Sequence, residues 1–588
     1  MHKKHLKSVI SLSLAAVLSL LTACGSTGSQ SSSASQQASS SASSVVSEST
    51  SASSSSEDAS AKPPVYTDAV PLSDRSSDTF NEAAFEACCQ KFSELSQSEG
   101  NEDQLFSLYD EIVDWLDCLS SDQGLVFFNY NLDVTNTQLG NESTSLQTLY
   151  AQKLDEACQL FRDLVNSDLY KDSFTSYVGE DIATGFAEYT DMTEEMESLS
   201  TKSSELVQEY NELVIQDTTD ESVQTQIKEL YIELVNTNNQ MANCYGYDNY
   251  ADFSYYLFGR DYTADDLTAV KNAIVENVLP LYNAYSEWTV NEGCAEDSSC
   301  EYTVSEDDMK AIPAILEKID SSLSDSFHYL LEEGLYDLEA SSTKSGSVFT
   351  SPLYSYKDAF IVFSPIGVVY DLSTIIHEFG HFNNFYSADH DSVHSSSAVD
   401  VSEIHSQGLE LLFSDYYSEL NSSYGEALKQ NTYHSMLFSV LSSFMINEVE
   451  TAIYQTEDLT MEKLDQIWAD TTTAYGLAES YPDNSWVSIT HLFENPCYYI
   501  GYATSALASL EIYTLSRSDW DSAVECYLQI CNDDPGKSFC ETLESAGLSN
   551  VFESENIENL CSTLAETWNI SDLYLQYKDS ANTTSEAA

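Results

Sequence analysis

His377 and His381 stand four residues apart with Glu378 between them, and two further carboxylates, Glu403 and Glu410, follow in the run Asp400-Val401-Ser402-Glu403-Ile404-His405-Ser406-Gln407-Gly408-Leu409-Glu410. Imidazole and carboxylate are the donor types that hold a catalytic zinc ion, which takes three protein ligands and keeps one position open. Residues 372–386 have apolar residues at helical spacing and no proline, so His377 and His381 are expected side by side on one face. Glu378 then lies at the rim of that face, placed to take a proton from a metal-bound water without being a ligand. Glu403, on a second helix-like stretch, supplies the third ligand of a single zinc ion. Glu410 shares its face and is expected to support a histidine ring or the local backbone, since a metal-bound imidazole usually donates its other N–H to an oxygen. A His-Glu-x-x-His string alone also arises by chance in packed helices. Here Gly380 and the Glu-x-x-Ser-x-x-x-Glu formed by Glu403, Ser406 and Glu410 extend the pattern. His328, His390, His394, His405 and His434 show no such spacing and read as surface or core residues, with His405 facing away from Glu403.

Such a site needs a frame. Residues 81–119, 145–169, 183–242 and 264–287 are charged and apolar at helical spacing and proline is sparse, which predicts a mainly α protein. Residues 347–363 are the clearest strand candidate, rich in β-branched and aromatic residues and broken at Ser351-Pro352 and Lys357-Asp358. They predict a small antiparallel β-sheet close to the metal helix. No second low-complexity linker interrupts the chain after Pro63, so one large body of two lobes is expected, an N-terminal helical lobe over 63–240 and a catalytic lobe over 241–588.

The N-terminus carries Lys3, Lys4 and Lys7, an apolar run over 9–21, and Leu21-Thr22-Ala23-Cys24. This matches a bacterial lipoprotein signal, with residues 1–23 removed and Cys24 acylated; the run is short for a membrane-spanning helix, and a retained anchor is the weaker reading. Residues 24–62 are serine-rich with almost no large apolar side chains, a flexible tether holding the body outside the cytoplasmic membrane. Charge is lopsided, 22 Lys and Arg against 96 Asp and Glu, for a formal net charge of −74. A phosphate backbone would find no basic surface, so nucleic-acid binding is excluded. Solubility, attraction of cationic peptides and salt adaptation all fit the acidity. With Cys24 set aside for lipid, the 13 cysteines leave an even number; Cys294/Cys300 and Cys531/Cys540 are the local pairs most easily bridged, and buried free thiols are the equal reading for Cys88, Cys89, Cys118, Cys158, Cys244, Cys526 and Cys561.

At His377-Glu378-Phe379-Gly380-His381 and Glu403/Ser406/Glu410 the chain resembles the M3 family of zinc metallopeptidases, the thimet oligopeptidase and oligopeptidase F group. The likeness extends upstream to Cys244-Tyr245-Gly246-Tyr247-Asp248-Asn249-Tyr250, to Lys344-Ser345-Gly346-Ser347-Val348-Phe349 and to Ala359-Phe360-Ile361-Val362-Phe363. Downstream it includes His491-Leu492-Phe493-Glu494-Asn495-Pro496 and Tyr498-Tyr499-Ile500-Gly501-Tyr502-Ala503-Thr504. It implies a large helical zincin body split by a deep central channel that excludes folded proteins. It also implies that His491, Tyr498 and Tyr502 reach over the metal and donate hydrogen bonds to the oxyanion formed on the peptide carbonyl. The chain departs from the family's pattern at Asn384, where many relatives carry a histidine that is not a ligand, and at Cys497, where an aromatic residue is common. An extended peptide is expected to add to a sheet edge near Phe363 through backbone hydrogen bonds. Together these features predict a monomeric, lipid-anchored zinc endopeptidase that cleaves short peptides. A peptide-capturing surface lipoprotein with little turnover is the alternative, which Glu378 argues against because a binder needs no base.

Overall fold

A computed structural model describes residues 58–292, 300–394, 399–533 and 536–585. The signal peptide, Cys24, the tether to Glu57 and Cys294 lie outside the described residues. The chain is mainly α. The N-terminal helices are α1 (Glu82–Leu95), α2 (Glu102–Leu132), α3 (Thr137–Val165), α4 (Lys171–Val178), α5 (Glu180–Ala187), α6 (Glu194–Val214), α7 (Glu221–Cys244) and α8 (Tyr250–Leu257). Next, α9 (Ala264–Ala273) passes through a π-helical turn, Ile274–Val278, into α10 (Leu279–Glu292), and α11 (Glu306–Leu316) and α12 (Ser321–Glu332) follow. Then come β1 (Tyr336–Asp337), β2 (Phe349–Leu353) and β3 (Asp358–Val362), and after them the paired helices α13 (Asp371–Ser387) and α14 (Val399–Phe413). The rest is helical: α15 (Tyr417–Leu420), α16 (Gly425–Tyr454), α17 (Met461–Ala474), α18 (His491–Glu494), α19 (Ile500–Ser518), α20 (Trp520–Cys531), α21 (Phe539–Ala546), α22 (Ser554–Thr567) and α23 (Ser571–Ser585).

Polar side chains set many of the boundaries that apolar spacing alone leaves open. Asn101 ends the run expected over 81–119 by donating to the carbonyls of Leu95 and Ser98, so that run becomes α1 and the start of α2. Thr193 and Asp220 accept helix-start N–H groups and divide the run over 183–242. Thr263 and Ser305 form reciprocal capping boxes with Asp266 and Asp308. The metal helix begins at Asp371, whose carboxylate accepts the N–H groups of Ile366, Gly367 and Val368 and fixes the turn that enters it.

The sheet is mixed, with strand order β1-β3-β2. β2 and β3 form the expected antiparallel hairpin, with Phe349 opposite Val362 and Leu353 opposite Asp358. β1 adds in parallel, Tyr336 opposite Ile361, because the chain reverses twice between them. Two expectations are corrected. Ser351-Pro352 does not break the strand: Pro352 sits inside β2, opposite Ala359, and a missing N–H is tolerated on an edge strand. Phe363 follows the central strand, whose two edges are taken by β1 and β2, so the sheet's outer edges belong to β1 and β2 and not to the segment ending at Phe363.

The buried apolar side chains fall into three clusters, one spanning Met196 to Tyr574, one of α1 to α5 residues joined by Val393, and one in which Leu125 and Phe128 of α2 pack on the hairpin residues Phe349, Leu353, Phe360 and Val362. α16 is long and apolar enough to cross a membrane, yet its apolar surface is mostly buried against the rest of the body. An N-terminal segment is pinned to the hairpin. Arg75 donates two hydrogen bonds, of 2.7 and 2.6 Å, to Asp358 at the start of β3, and neither side chain is exposed. Breaking a buried pair by removing one partner leaves the other charge uncompensated. Arg75→Ala is therefore expected to cost about 3–5 kcal/mol of stability, read as a lowered denaturant midpoint; a shift corresponding to less than about 1 kcal/mol would contradict it.

Candidate metal centre

α13 and α14 meet at backbone contact. A Cβ at Gly380 would lie 2.3 Å from the His405 carbonyl oxygen and 2.6 Å from the Ser406 Cα, so only glycine lets the two helices approach this closely. The approach carries His377 and His381, one helical turn apart on α13, onto Glu403 of α14. Glu403 Oε2 is 3.5 Å from His377 Nε2 and 3.7 Å from His381 Nε2. Among the described residues these three form the one group of histidine, cysteine or carboxylate donors close enough to share an ion. Donors bound at roughly 2.0–2.2 Å in a tetrahedral site stand on the order of 3.3 Å apart, so the spacing fits a metal with little adjustment.

Every member of the cluster is braced. His377 Nδ1 is 2.7 Å from Glu410 Oε1, which leaves Nε2 toward the other donors. His381 is steadied by a backbone hydrogen bond at Ser402. The Glu403 side chain is fully buried; its Oε2 accepts from Ser406 Oγ at 3.0 Å and its Oε1 from the Tyr498 hydroxyl at 3.0 Å. Glu378 is buried as well. Thr350 of β2 donates to its Oε2 at 2.7 Å, while Oε1 has no hydrogen-bond partner. A buried carboxylate oxygen left without a donor is costly unless something charged or protic meets it.

The electrostatics favour a cation. Burial alone would push the His377 ring down, but Glu410, Glu403 and Glu378 outweigh it and hold it up at about 9. The same carboxylates would hold a metal ion in place of that proton. Burial pushes His381 down to about 4, so the ring is neutral near pH 7 and can offer a lone pair to a metal. Burial lifts Glu378 to about 7, against the pull of His377 and the Thr350 hydroxyl, the range in which a carboxylate both takes and returns a proton. Orphaned oxygen, neutral imidazole and a surplus of buried carboxylate together fit a divalent ion.

Beside the cluster lies an aromatic loop. His491 opens α18, Tyr498 precedes α19, and Tyr502 is in the first turn of α19. His491 Nε2 is 3.3 Å from the Tyr502 hydroxyl, and the Tyr498 and Tyr502 rings are 5.2 Å apart. Tyr498 touches a metal-site residue directly, through Glu403. Gln407 of α14 donates to the Tyr502 carbonyl and ties the loop to the ligand helix.

Other singled-out residues lie elsewhere. Asn384 is buried and donates to the Cys531 carbonyl at 2.8 Å, a packing role toward α20. His394 bridges the Tyr109 hydroxyl and Asp391, His434 meets Ser286, His328 is exposed, and His390 and His405 are buried. Cys300, Cys531 and Cys540 are free thiols, so the 531/540 bridge is not formed. Sequence reasoning missed Thr350, Arg260 and Glu450. For Thr350 no local signal existed. Glu450 could have been noticed as an acid in an apolar helix, and Arg260 as a rare cation between Phe258 and Tyr262.

Fold and site together support a metallopeptidase. Residues 322–535, somewhat more than a third of the chain and including the whole metal cluster, match the model of Peptidase family M3. The fold is similar to that of a putative oligoendopeptidase F, with a TM-score of 0.75 and 18% identity over 86% of this chain and 100% of that one. PZ peptidase A, solved with an inhibitor, gives a TM-score of 0.71 and 17% identity over 86% of this chain and 100% of that one. The metallocarboxypeptidase 1 of Trypanosoma cruzi gives 0.58 and 12% over 81% of this chain and 99% of that one. Identities this low carry the fold alone. No curated protein matches the sequence. The family match over the site, together with the fold, supports peptidase function.

Proposed function

We propose that the chain is a zinc-dependent endopeptidase that hydrolyses short peptides outside the cytoplasmic membrane, to which a lipid on Cys24 anchors it. The observation that carries the catalytic part is the buried set of His377, His381 and Glu403 with Glu378 beside it, one of whose oxygens is held by Thr350 while the other is free. Bound by the three ligands, zinc would acidify a water molecule and polarise the scissile carbonyl. Glu378 Oε1 takes the proton of the attacking water as the new C–O bond forms, and returns it to the nitrogen as the C–N bond breaks. Thr350 keeps Oε2 fixed and leaves Oε1 as the oxygen that takes the proton. His491, Tyr498 and Tyr502 supply the donors for the developing oxyanion, with Tyr498 exchanging its bond to Glu403 for one to substrate. The outer edge of β2, which has no strand partner among the described residues, would offer backbone groups to an extended peptide and needs no particular side chain. Cleavage within the peptide accords with the oligoendopeptidase and PZ peptidase folds standing above the carboxypeptidase in similarity. The anchor rests on the signal-like N-terminus and the serine-rich stretch after Cys24.

The test uses a quenched fluorescent peptide and a mixed peptide library read by mass spectrometry. A strong chelator is expected to abolish turnover and one equivalent of zinc to restore it, with internal cleavage products from peptides and none from folded proteins. Turnover that survives complete metal removal would refute the mechanism, and release of single terminal residues would refute internal cleavage.

A further inference from the structure

Cys497 is buried and holds φ at +66°, a left-handed conformation that is unfavourable for any residue with a Cβ. Both of its peptide groups are gripped by side chains from distant parts of the chain. Glu450 Oε1, from α16, accepts the Cys497 N–H at 2.6 Å. The Arg260 guanidinium, from the turn after α8, donates to the Cys497 carbonyl at 3.0 Å. Neither side chain reaches solvent to any extent, Glu450 being 1% and Arg260 7% exposed. Arg260 is itself paired with Asp400 at 3.3 Å, near the start of α14 and one turn before Glu403. Asp400 also accepts from Tyr262 at 2.5 Å, its carbonyl accepts from Ser505, and a Cβ at Gly501 would lie 2.7 Å from its Oδ1. The residue after Cys497 is Tyr498, whose hydroxyl is on Glu403. A closed circuit therefore runs from the ligand helix through Asp400 and Arg260 to the Cys497 peptide, and back through Tyr498 to the ligand.

We propose that Glu450 and Arg260 form a two-sided clamp on the Cys497 peptide that holds its left-handed turn and so positions Tyr498 and Tyr502 over the metal site. The role in turnover rests on the peptidase reading; the clamp itself does not. Burial pushes Glu450 up to about 8, and the Cys497 amide and Arg260 only partly oppose it. A carboxyl group held in so unfavourable a place needs a task that an apolar side chain cannot do, and accepting an amide from a strained turn is such a task. Glu450 and Arg260 touch neither the metal ligands nor, in this reading, the substrate, so they are positioning residues.

Two variants separate this from simple core filling. Glu450→Met keeps the bulk and removes the acceptor, while Glu450→Gln keeps an oxygen for the Cys497 amide. In Glu450→Met, hydrogen exchange of the amides at 497–502 is expected to accelerate by at least about tenfold. With peptide substrate, kcat should fall about 10²- to 10³-fold with KM within about threefold, as for loss of an aimed donor. Glu450→Gln should stay within about threefold of the parent in both measurements. In a Tyr498→Phe/Tyr502→Phe background, Glu450→Met should lower kcat by less than about twofold more, because its effect runs through those hydroxyls. Zinc affinity, measured by chelator competition, should fall in Glu450→Met by no more than it does in Tyr498→Phe. Exchange rates unchanged in Glu450→Met, or a kcat loss that multiplies in full with the tyrosine substitutions, would overturn the proposal. If the parent protein hydrolyses no peptide, the peptidase reading fails, and the exchange and zinc measurements still decide the clamp.

Discussion

Replacing Glu378 with glutamine is expected to lower kcat by about 10²- to 10⁴-fold, the usual worth of a positioned acid–base group, while zinc stays bound at the level of the parent. The two outcomes belong together. Glu378 lies between the histidines on α13, yet its Oε2 is committed to Thr350 and it is not among the three donors that cluster. Glutamine is nearly isosteric, keeps an oxygen for the Thr350 hydroxyl and cannot accept a proton at the second position. The loss should fall on kcat and kcat/KM alike, since what is removed acts in the transition state. Metal analysis on the same preparation checks the second half. Turnover within about tenfold of the parent would leave Glu378 without the role of base, and loss of zinc would mean that it is a ligand after all.

Gly380→Ala, far milder on paper, is expected to remove both the metal and the activity. The added methyl group would sit 2.3 Å from the His405 carbonyl and 2.6 Å from the Ser406 Cα. Both are backbone atoms of α14, so no side-chain rotation relieves the contact. α13 and α14 must move apart by about 1 Å, a strain that costs typically 1–3 kcal/mol in a packed core and sometimes more. That shift separates His377 and His381 from Glu403, and metal sites tolerate ligand errors of only about 0.2 Å. Zinc stoichiometry should drop to a small fraction of the parent's, and turnover should fall at least about 10²-fold, with a lower melting temperature. A Gly380→Ala protein that binds zinc and works within about threefold of the parent would show that the helix contact does not set the site.

The same glycine shows what can and cannot be read from a sequence. Gly380 was visible as part of a recurrent pattern; its reason, a carbonyl 25 positions further on, was not, because helix contact depends on how two elements cross. Thr350 reaches Glu378 across 28 residues, Glu450 reaches Cys497 across 47, and Arg260 reaches Asp400 across 140. None of these separations has a period. The strand run over 347–363 could be recognised from its residue types, but strand order could not: two residues, Tyr336 and Asp337, add on the far side of β3 and turn the segment near Phe363 from an edge into the sheet's centre. Cys531 and Cys540 looked bridgeable from their spacing and remain thiols, because nearness along the chain does not set the approach of two side chains.

Sequence by itself settled the chemistry of the donors, two imidazoles four apart and a carboxylate between them, because one turn of helix is a local geometry that needs no partner. It settled the mainly α body for the same reason. The pattern also named Glu403 as third donor and Glu410 as a brace; tertiary structure alone decided which ring Glu410 meets, that Tyr498 rests on Glu403, and that a buried acid and a buried guanidinium grip the turn before it. Those choices follow from the close crossing of α13 and α14 and the docking of α19 against them, where direction and distance are set by packing between segments remote in the chain.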